Sequence, residues 1–452
     1  MRSVSSTQHL DAVGDRLVDF GEFVREKSNS GALVVQPRMG FGTSDEMRAG
    51  LIATKDAAAT TVGTITLDSY TRVGDLGAVA TALRDDIKLN GYPILNHPAD
   101  ATRSMLAGVR GADFPVQVRH GSATPMDIFS TLMTLGLNAT EGGPVSYCLP
   151  YGRTPLADSV QNWTRCCEVF SRFREIGVEP HLETFGGCLM GQLCPPSQLV
   201  AMSMLEALFF YHYGIRSISV SYAQQTNFDQ DVEAVFALRR LCAELLPTEN
   251  VHTVIYAYMG VYPKTSNGAY RLLGQAVKIA VQTGAERIIV KTVAESRRIP
   301  VIAENVAALE YAGGIAEMTR PTLEMRTAGE SQTYREAHAL VDAVLNMDPD
   351  IGRALLLAFK RGYLDIPYCV HPDNAGRSRS YIDGDGWLRW NDIGSLPLSG
   401  IVRKDRWRKI TASGLLDDLS YVRAKFDHQL PAPGQLASTR FRLSDGSADS
   451  SL

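Results

Sequence analysis

The sequence predicts an α/β protein: a (β/α)8 TIM-type barrel with an additional irregular and helical C-terminal region. Short apolar, β-branched runs recur with starts about 20 to 43 residues apart. Amphipathic or apolar helix patterns fill the gaps, which is the sign of parallel βα units. The chain of 452 residues has room for one barrel of roughly 250–300 residues and an extra region. Spacing alone does not demonstrate closure, so a doubly wound open sheet is the competing architecture.

Residues 1–30 read as an N-terminal helical segment, and residues 31–300 as the barrel. Candidate strands lie at 33–38, 60–68, 92–96, 115–120, 138–142, 181–186, 217–223, 251–258 and 287–292. Nine runs compete for eight places, and 138–142 (NATEG) is the weakest by strand propensity. Helix patterns include 47–59 and 231–246. The uncharged stretch from Phe185 to Leu205 is split by Pro195 and Pro196 and closed by Glu206. It therefore reads as a loop and a buried helix, Gln198 to Tyr213, and not as a membrane span. Residues 301–430 form a helical and irregular cap. Within it, 362–408 is rich in Gly, Pro, Asp and Arg, and 409–428 has the pattern of one more helix. The polar segment 431–452 reads as a mobile tail.

Lys and Arg number 45 against 49 Asp and Glu, a net charge of −4. No basic excess is available for phosphate contact, which argues against a general nucleic-acid role. The seven cysteines include no C-x-x-C pair, so they read as free thiols of a reducing cytosol, not as a disulfide framework or a zinc ribbon. The segment MRSVSSTQHLDAVGD lacks the apolar core of a signal peptide, and the expected location is cytoplasmic. No G-x-x-x-x-G-K-[ST], H-E-x-x-H or G-x-S-x-G occurs, and the Gly40-Phe41-Gly42 stretch fails the dinucleotide fingerprint at Asp45. No metal site is expected.

Several strand ends carry charged or polar residues where turn formers are usual. Arg38 follows the first strand, Arg72 the second, Arg119 and His120 end the run PVQVRH, Glu141 opens EGGPVSYCLPY, and Lys291 ends IIVK. In a βα barrel these ends face one mouth, where active sites lie. Guanidinium groups grip carboxylates through paired hydrogen bonds, which a lysine cannot match. Three arginines and one glutamate at the mouth fit a small dicarboxylate bearing an ammonium that Glu141 can face. Taken singly, each arginine could equally be a surface ion pair. Tyr147 and Tyr151 follow Glu141 at steps of six and ten and suit either pocket walls or packing beneath a loop. His120 reads as an acid–base group or as a hydrogen-bonded strand-end residue, the second being favoured on the residues alone. Lys291 and Glu295 are spaced like a helix-surface pair, although Lys291 closes a β-rich run.

The blocks QPRMGFG, LDSYTRVG, LNGYP, VQVRHG, EGGPVSYCLPY, ETFGG, CPPS, YMGVYP and IVKTVAESRRIPVIAEN, with DIPYCVHPDNAG further on, stand in order over about residues 31–400. Together they resemble the epsilon (large) subunits of the glutamate mutase family, also called methylaspartate mutases. The resemblance implies an adenosylcobalamin-dependent isomerase that interconverts L-glutamate and (2S,3S)-3-methylaspartate by radical fragmentation into a glycyl radical and acrylate, followed by recombination. It also implies a (β/α)8 large subunit that pairs with itself, as a homodimer within a heterotetramer, and a small sigma subunit that carries most of the cobalamin through a D-x-H-x-x-G motif. That motif is absent here, which fits a large subunit needing a partner.

By the same resemblance, Arg38, Arg72 and Arg119 grip the two substrate carboxylates, and His120 is a further substrate contact. Glu141 meets the substrate amino group as the catalytic residue, and Tyr147 and Tyr151 complete the pocket. Gly40, Asn90, Pro150, Tyr262, Lys291, Glu295 and Ile299 match cofactor-contacting positions, with Lys291 and Glu295 near the adenosyl ribose. The sequence departs from the family where Tyr262 stands in place of a frequent Phe and where Tyr222-Ala223-Gln224-Gln225 replaces a Gly/Cys-bearing stretch. Two other readings stay open: a related mutase acting on another diacid such as 2-oxoglutarate, and a cobalamin-free dicarboxylate-binding barrel.

Overall fold

The computed structural model describes residues 19–150, 152–189, 193–321, 331–402 and 409–428. Eight parallel strands form one sheet: β1 (Val34–Gln36), β2 (Gly63–Thr66), β3 (Val116–Arg119), β4 (Ala139–Gly142), β5 (His181–Thr184), β6 (Ser217–Ala223), β7 (Val251–Tyr256) and β8 (Arg287–Ile289). Each pairs with its sequence neighbour from β2 through β8, and β8 returns to β1. Between β1 and β2 a parallel bridge, Val35 to Thr61, closes the ring, and the Thr66 N–H donates to the Met39 carbonyl at 2.8 Å. The result is a (β/α)8 barrel, and the open-sheet alternative is excluded.

The ninth run, 92–96, is not a strand. Tyr92 makes one bridge to Leu67 and donates its N–H to the Thr66 carbonyl, after which residues 94–96 turn. Pro93 has no N–H to extend a ladder. By contrast 138–142, the weakest by propensity, contains β4, buried throughout and in register with β5 through Glu141 opposite Glu183. Strand propensity measures fit to a half-buried surface, and inside a barrel complete burial and cross-strand pairing override it.

The outer ring begins with α1 (Phe20–Asn29), whose Asp19 cap accepts from the Glu22 N–H. This helix closes the end of the barrel where the strands begin: the Phe20 ring lies 5.0 Å from the His181 ring and 5.1 Å from the Arg287 guanidinium. Helices α2 (Ser44–Lys55), α3 (Ser69–Val73), α4 (Leu76–Arg84), α5 (Ala99–Leu106), α6 (Met126–Leu135) and α7 (Leu156–Ser171) follow. After β5 comes α8 (Pro196–His212), buried on nearly every side, since it is packed by β6, α9 (Phe228–Leu245) and the cap. Among the described residues no helix is long and apolar enough to cross a membrane. The ring ends with α10 (Ser266–Thr283) and α11 (Ile302–Met318).

Helices α12 (Gln332–Leu345) and α13 (Ile351–Arg361) of the C-terminal region pack on α7, α8 and α9. Residues 362–402, irregular by composition, contain an antiparallel hairpin of β9 (Arg379–Ile382) and β10 (Leu388–Asp392). Gln230 of α9 docks it through two hydrogen bonds with the Leu388 backbone, each 2.9 Å. The last described helix, α14 (Ala412–His428), clamps the loop after β7, where Asp427 accepts from the N–H groups of Lys264 and Thr265 at 3.0 Å. The tail 431–452 lies outside the described residues. All seven cysteines are free and buried.

The interior of the barrel is polar. Gln36, Thr64, Gln117, Glu183, Ser219 and Arg287 are buried side chains from six different strands. Gln36 donates to Thr64 at 2.9 Å and to Gln117 at 2.8 Å, and Ser219 donates to Glu183 at 3.0 Å. Arg287 pairs with Glu183 and donates to Gln36, Ser219 and His252. Buried polar groups are tolerable when each finds partners, and here the strands supply them to one another.

Candidate active site

At the other end, where the strands finish, a pocket of about 450 Å³ opens. Its lining includes Arg38, Arg72, Asn90, Arg119, His120, Glu141, Tyr147 and Lys291 from the loops and ends of β1, β2, β3, β4 and β8. Parallel strands deliver their C-terminal ends to one rim, which brings residues separated by some 250 positions in sequence into one cavity.

Arg119 is the innermost of the arginines. Its Nη2 pairs with Glu141 Oε2 at 2.8 Å and donates to the Tyr256 hydroxyl at 3.3 Å. Burial opposes its charge, but Glu141 beside it, with the nearby tyrosines, raises its pKa well above the usual arginine value. Its Nε and Nη1 are buried without a hydrogen-bond partner among the described residues. Arg38 is half-buried, with Nη1 3.8 Å from the Met259 sulfur, and no carboxylate of the described residues reaches ion-pair distance. Arg72 is exposed at the end of α3 and runs its stem over Gly121. A Cβ at 121 would stand 2.7 Å from Arg72 Cδ, and Gly121 has φ +73°, so glycine both permits the turn and leaves the arginine its path.

Glu141 is buried and accepts from three donors: the Tyr147 hydroxyl on Oε1, and Tyr256 (2.7 Å) and Arg119 on Oε2. His120 accepts the Ser122 N–H on Nδ1 at 3.0 Å, which assigns its proton to Nε2. Burial, aided by the Arg119 charge and opposed by the Glu141 backbone, lowers its pKa to about 3, so the ring is neutral. It stacks on Trp163 at 5.7 Å and meets Tyr147 edge-on.

Lys291 is buried, with Nζ 3.5 Å from Glu295 and 5.3 Å from the Tyr262 ring. Burial lowers its pKa to about 8, with Glu295 pulling up and Arg38 pushing down. The pair does not lie on a helix, because residues 293–297 form turns. The Tyr262 hydroxyl is buried and has no partner among the described residues. Gly40 lies so close to the end of β2 that a Cβ would stand 2.2 Å from the Thr66 carbonyl. Asn90 accepts the Ser69 N–H at 2.9 Å. Pro150 and the half-exposed Ile299 are not among the lining residues, and Tyr151 falls outside the described residues.

Sequence reasoning missed Tyr256, Phe185 and Met259. Tyr256 is the informative omission: it shares strand parity with His252, an inward residue that contacts Arg287, but within VHTVIYAY it reads as one more apolar strand residue. In the sequence Glu206 of α8 marks only the end of an uncharged stretch. It is buried, accepts the N–H groups of Ser146 (2.9 Å) and Phe185 (3.2 Å), and so ties together the loops after β4 and β5. Burial raises its pKa to about 7, against those backbone donors.

Fold and pocket together define a (β/α)8-barrel protein with a cationic cavity at its C-terminal mouth. The family model for the methylaspartate mutase E chain (MutE) matches residues 17–420. The chain is 30% identical over 459 residues to the glutamate mutase epsilon subunit of Halobacterium salinarum, covering 99% of this chain and 92% of that one. It is 30% identical over 397 residues to the glutamate mutase epsilon subunit of Yersinia enterocolitica, covering 84% and 81%. The chain belongs to the methylaspartate mutase E chain family.

Proposed function

We propose that the chain is the large subunit of an adenosylcobalamin-dependent glutamate mutase that rearranges L-glutamate to (2S,3S)-3-methylaspartate. The observation that carries this reading is the convergence of Arg38, Arg72, Arg119 and Glu141 on one cavity in a chain of this family. The partnerless Nε and Nη1 of Arg119 leave N–H donors open for one carboxylate, and Arg38 and Arg72 suit the other. Glu141 would accept the ammonium and hold its proton while the carbon skeleton is divided. His120, neutral, offers a hydrogen bond without adding charge, and Tyr147 and Phe185 wall the pocket. Separate clamps on the two carboxylates keep the fragments from drifting before they rejoin.

The residues at the rim fit the cofactor. Lys291 and Glu295 offer a donor and an acceptor suited to ribose hydroxyls, and Tyr262 has an unsatisfied hydroxyl beside them. Gly40, Asn90, Pro150 and Ile299 would border the corrin. Adenosylcobalamin, when bound, supplies the radical that removes a hydrogen from the substrate. A small sigma subunit would carry most of it, in a heterotetramer built on a dimer of this chain. The test is to combine the chain with a sigma partner and adenosylcobalamin and follow acids by mass spectrometry. Methylaspartate formed from glutamate is expected. Turnover of 2-oxoglutarate instead, or of neither acid, overturns the assignment.

A further inference from the structure

Glu141 is held by more than its arginine. The Tyr256 hydroxyl lies 2.7 Å from Glu141 Oε2 and also in hydrogen-bonding contact with Glu183 Oε1. A phenol carries a single hydrogen, so it can donate to only one of the two carboxylates at a time. Behind Glu183 stands Arg287, and beside Glu141 stands Arg119, whose Nη2 also donates to the phenol oxygen. The five side chains come from β3, β4, β5, β7 and β8, all are buried, and two formal positive charges balance two negative ones. Cys188, a further titratable neighbour, is kept neutral by burial. The Tyr256 ring is braced edge-on against Phe185 at 5.5 Å.

We propose that Tyr256, backed by Glu183, is a positioning residue that serves Glu141 in both of its proton states. The inference rests on the reading of Glu141 as the group that meets the substrate ammonium. While Glu141 is an anion, the Tyr256 hydrogen points to its Oε2. When Glu141 takes a proton, an ammonium N–H bond breaks and an O–H bond forms on the carboxyl. The phenol then turns its hydrogen to Glu183 Oε1 and accepts from Glu141. The tyrosine O–H bond stays intact throughout, so no further acid or base is required. Burial first, then the flanking carboxylates, hold this phenol protonated against the opposing pull of Arg119. Without Glu183 the turned hydrogen would face a dry interior with no acceptor, which is a costly state. Glu183 is thereby explained as more than a partner for Arg287.

Tyr256→Phe keeps the ring and removes the switch. In the full chain alone, calorimetric titration with L-glutamate over a pH series reads the pH at which affinity is half lost on acidification. Loss of a donor to the Glu141 anion moves that midpoint up by about one unit. In the complex with partner and cofactor, kcat falls about tenfold or more while KM at high pH changes less than about threefold. Thermal melting checks that the variant folds. If it does not, 3-fluorotyrosine at position 256, a stronger donor in the same shape, moves the midpoint downward instead. A variant with parental midpoint and parental kcat overturns this inference alone. An unsubstituted chain that binds no glutamate at any pH overturns the proposed function as well.

Discussion

Two arginines stand buried inside the same barrel, on β3 and β8, and they differ in what surrounds them. Arg287 has its Nε on His252, Nη1 on Gln36, and Nη2 on Glu183 and Ser219. Arg119 uses only Nη2, on Glu141 and Tyr256, and leaves Nε and Nη1 buried without partners among the described residues. Both are charged, and both are removed from water. Burial therefore does not separate a structural arginine from a functional one; completeness of the hydrogen-bond shell does. A closed shell contributes to the fold, whereas open donors facing a cavity are a standing cost that an incoming carboxylate can relieve.

The largest effect is expected at the closed arginine. Arg287→Met removes one partner of a buried ion pair and strands Glu183, which should cost about 3–5 kcal/mol of stability. Urea unfolding of the chain measures it, and a variant as stable as the parent would show that the interior network is not what holds this layer. Arg119→Lys should behave in the opposite way. The ammonium can keep Glu141 company, so the melt should stay near the parental one, but a point charge cannot replace the open donors of Nε and Nη1. Turnover in the loaded complex should fall about 100-fold, equivalent to about 2.7 kcal/mol. If Arg119→Lys unfolds the chain while Arg287→Met spares it, the comparison is reversed.

This contrast also marks how far the sequence could be read. The barrel was legible because β-branched runs alternate with helix patterns, and the arginines of the mouth were legible because they occupy strand ends where turn formers are usual. Glu183 lies inside β5 and Arg287 opens β8, where no turn is due, and Tyr256 closes β7 but within the longer run VHTVIYAY looks like one more apolar interior position. Their inward direction follows from register with neighbouring strands, and register is a property of the assembled sheet. The same limit explains 92–96 and 138–142. Local propensity favoured YPILN, but Pro93 and the single bridge at Tyr92 stop it, while β4 is made by its neighbours on both sides.

Glu206 lies between the two arginines in kind: a buried carboxyl whose shell is made of backbone N–H groups, without a cation. Its pKa is raised to about 7, above the ordinary carboxyl value that it regains on unfolding. Between those two values the native state binds the extra proton, so this group contributes more stability as pH falls through 7 and less as pH rises. Glu206→Gln cannot titrate, and its amide turns a donor toward one of the two backbone donors, Ser146 or Phe185. The difference in stability between parent and variant should therefore shift toward the parent by on the order of 2 kcal/mol between pH 8 and pH 5. Urea unfolding of both proteins at the two pH values isolates this group, because every other carboxyl is common to them. A difference that stays constant with pH would mean that Glu206 titrates as an ordinary carboxyl. The tie between the loops carrying Tyr147 and Phe185 would then be an anion over the whole range, held by its N–H donors as completely as Arg287 is held by its acceptors.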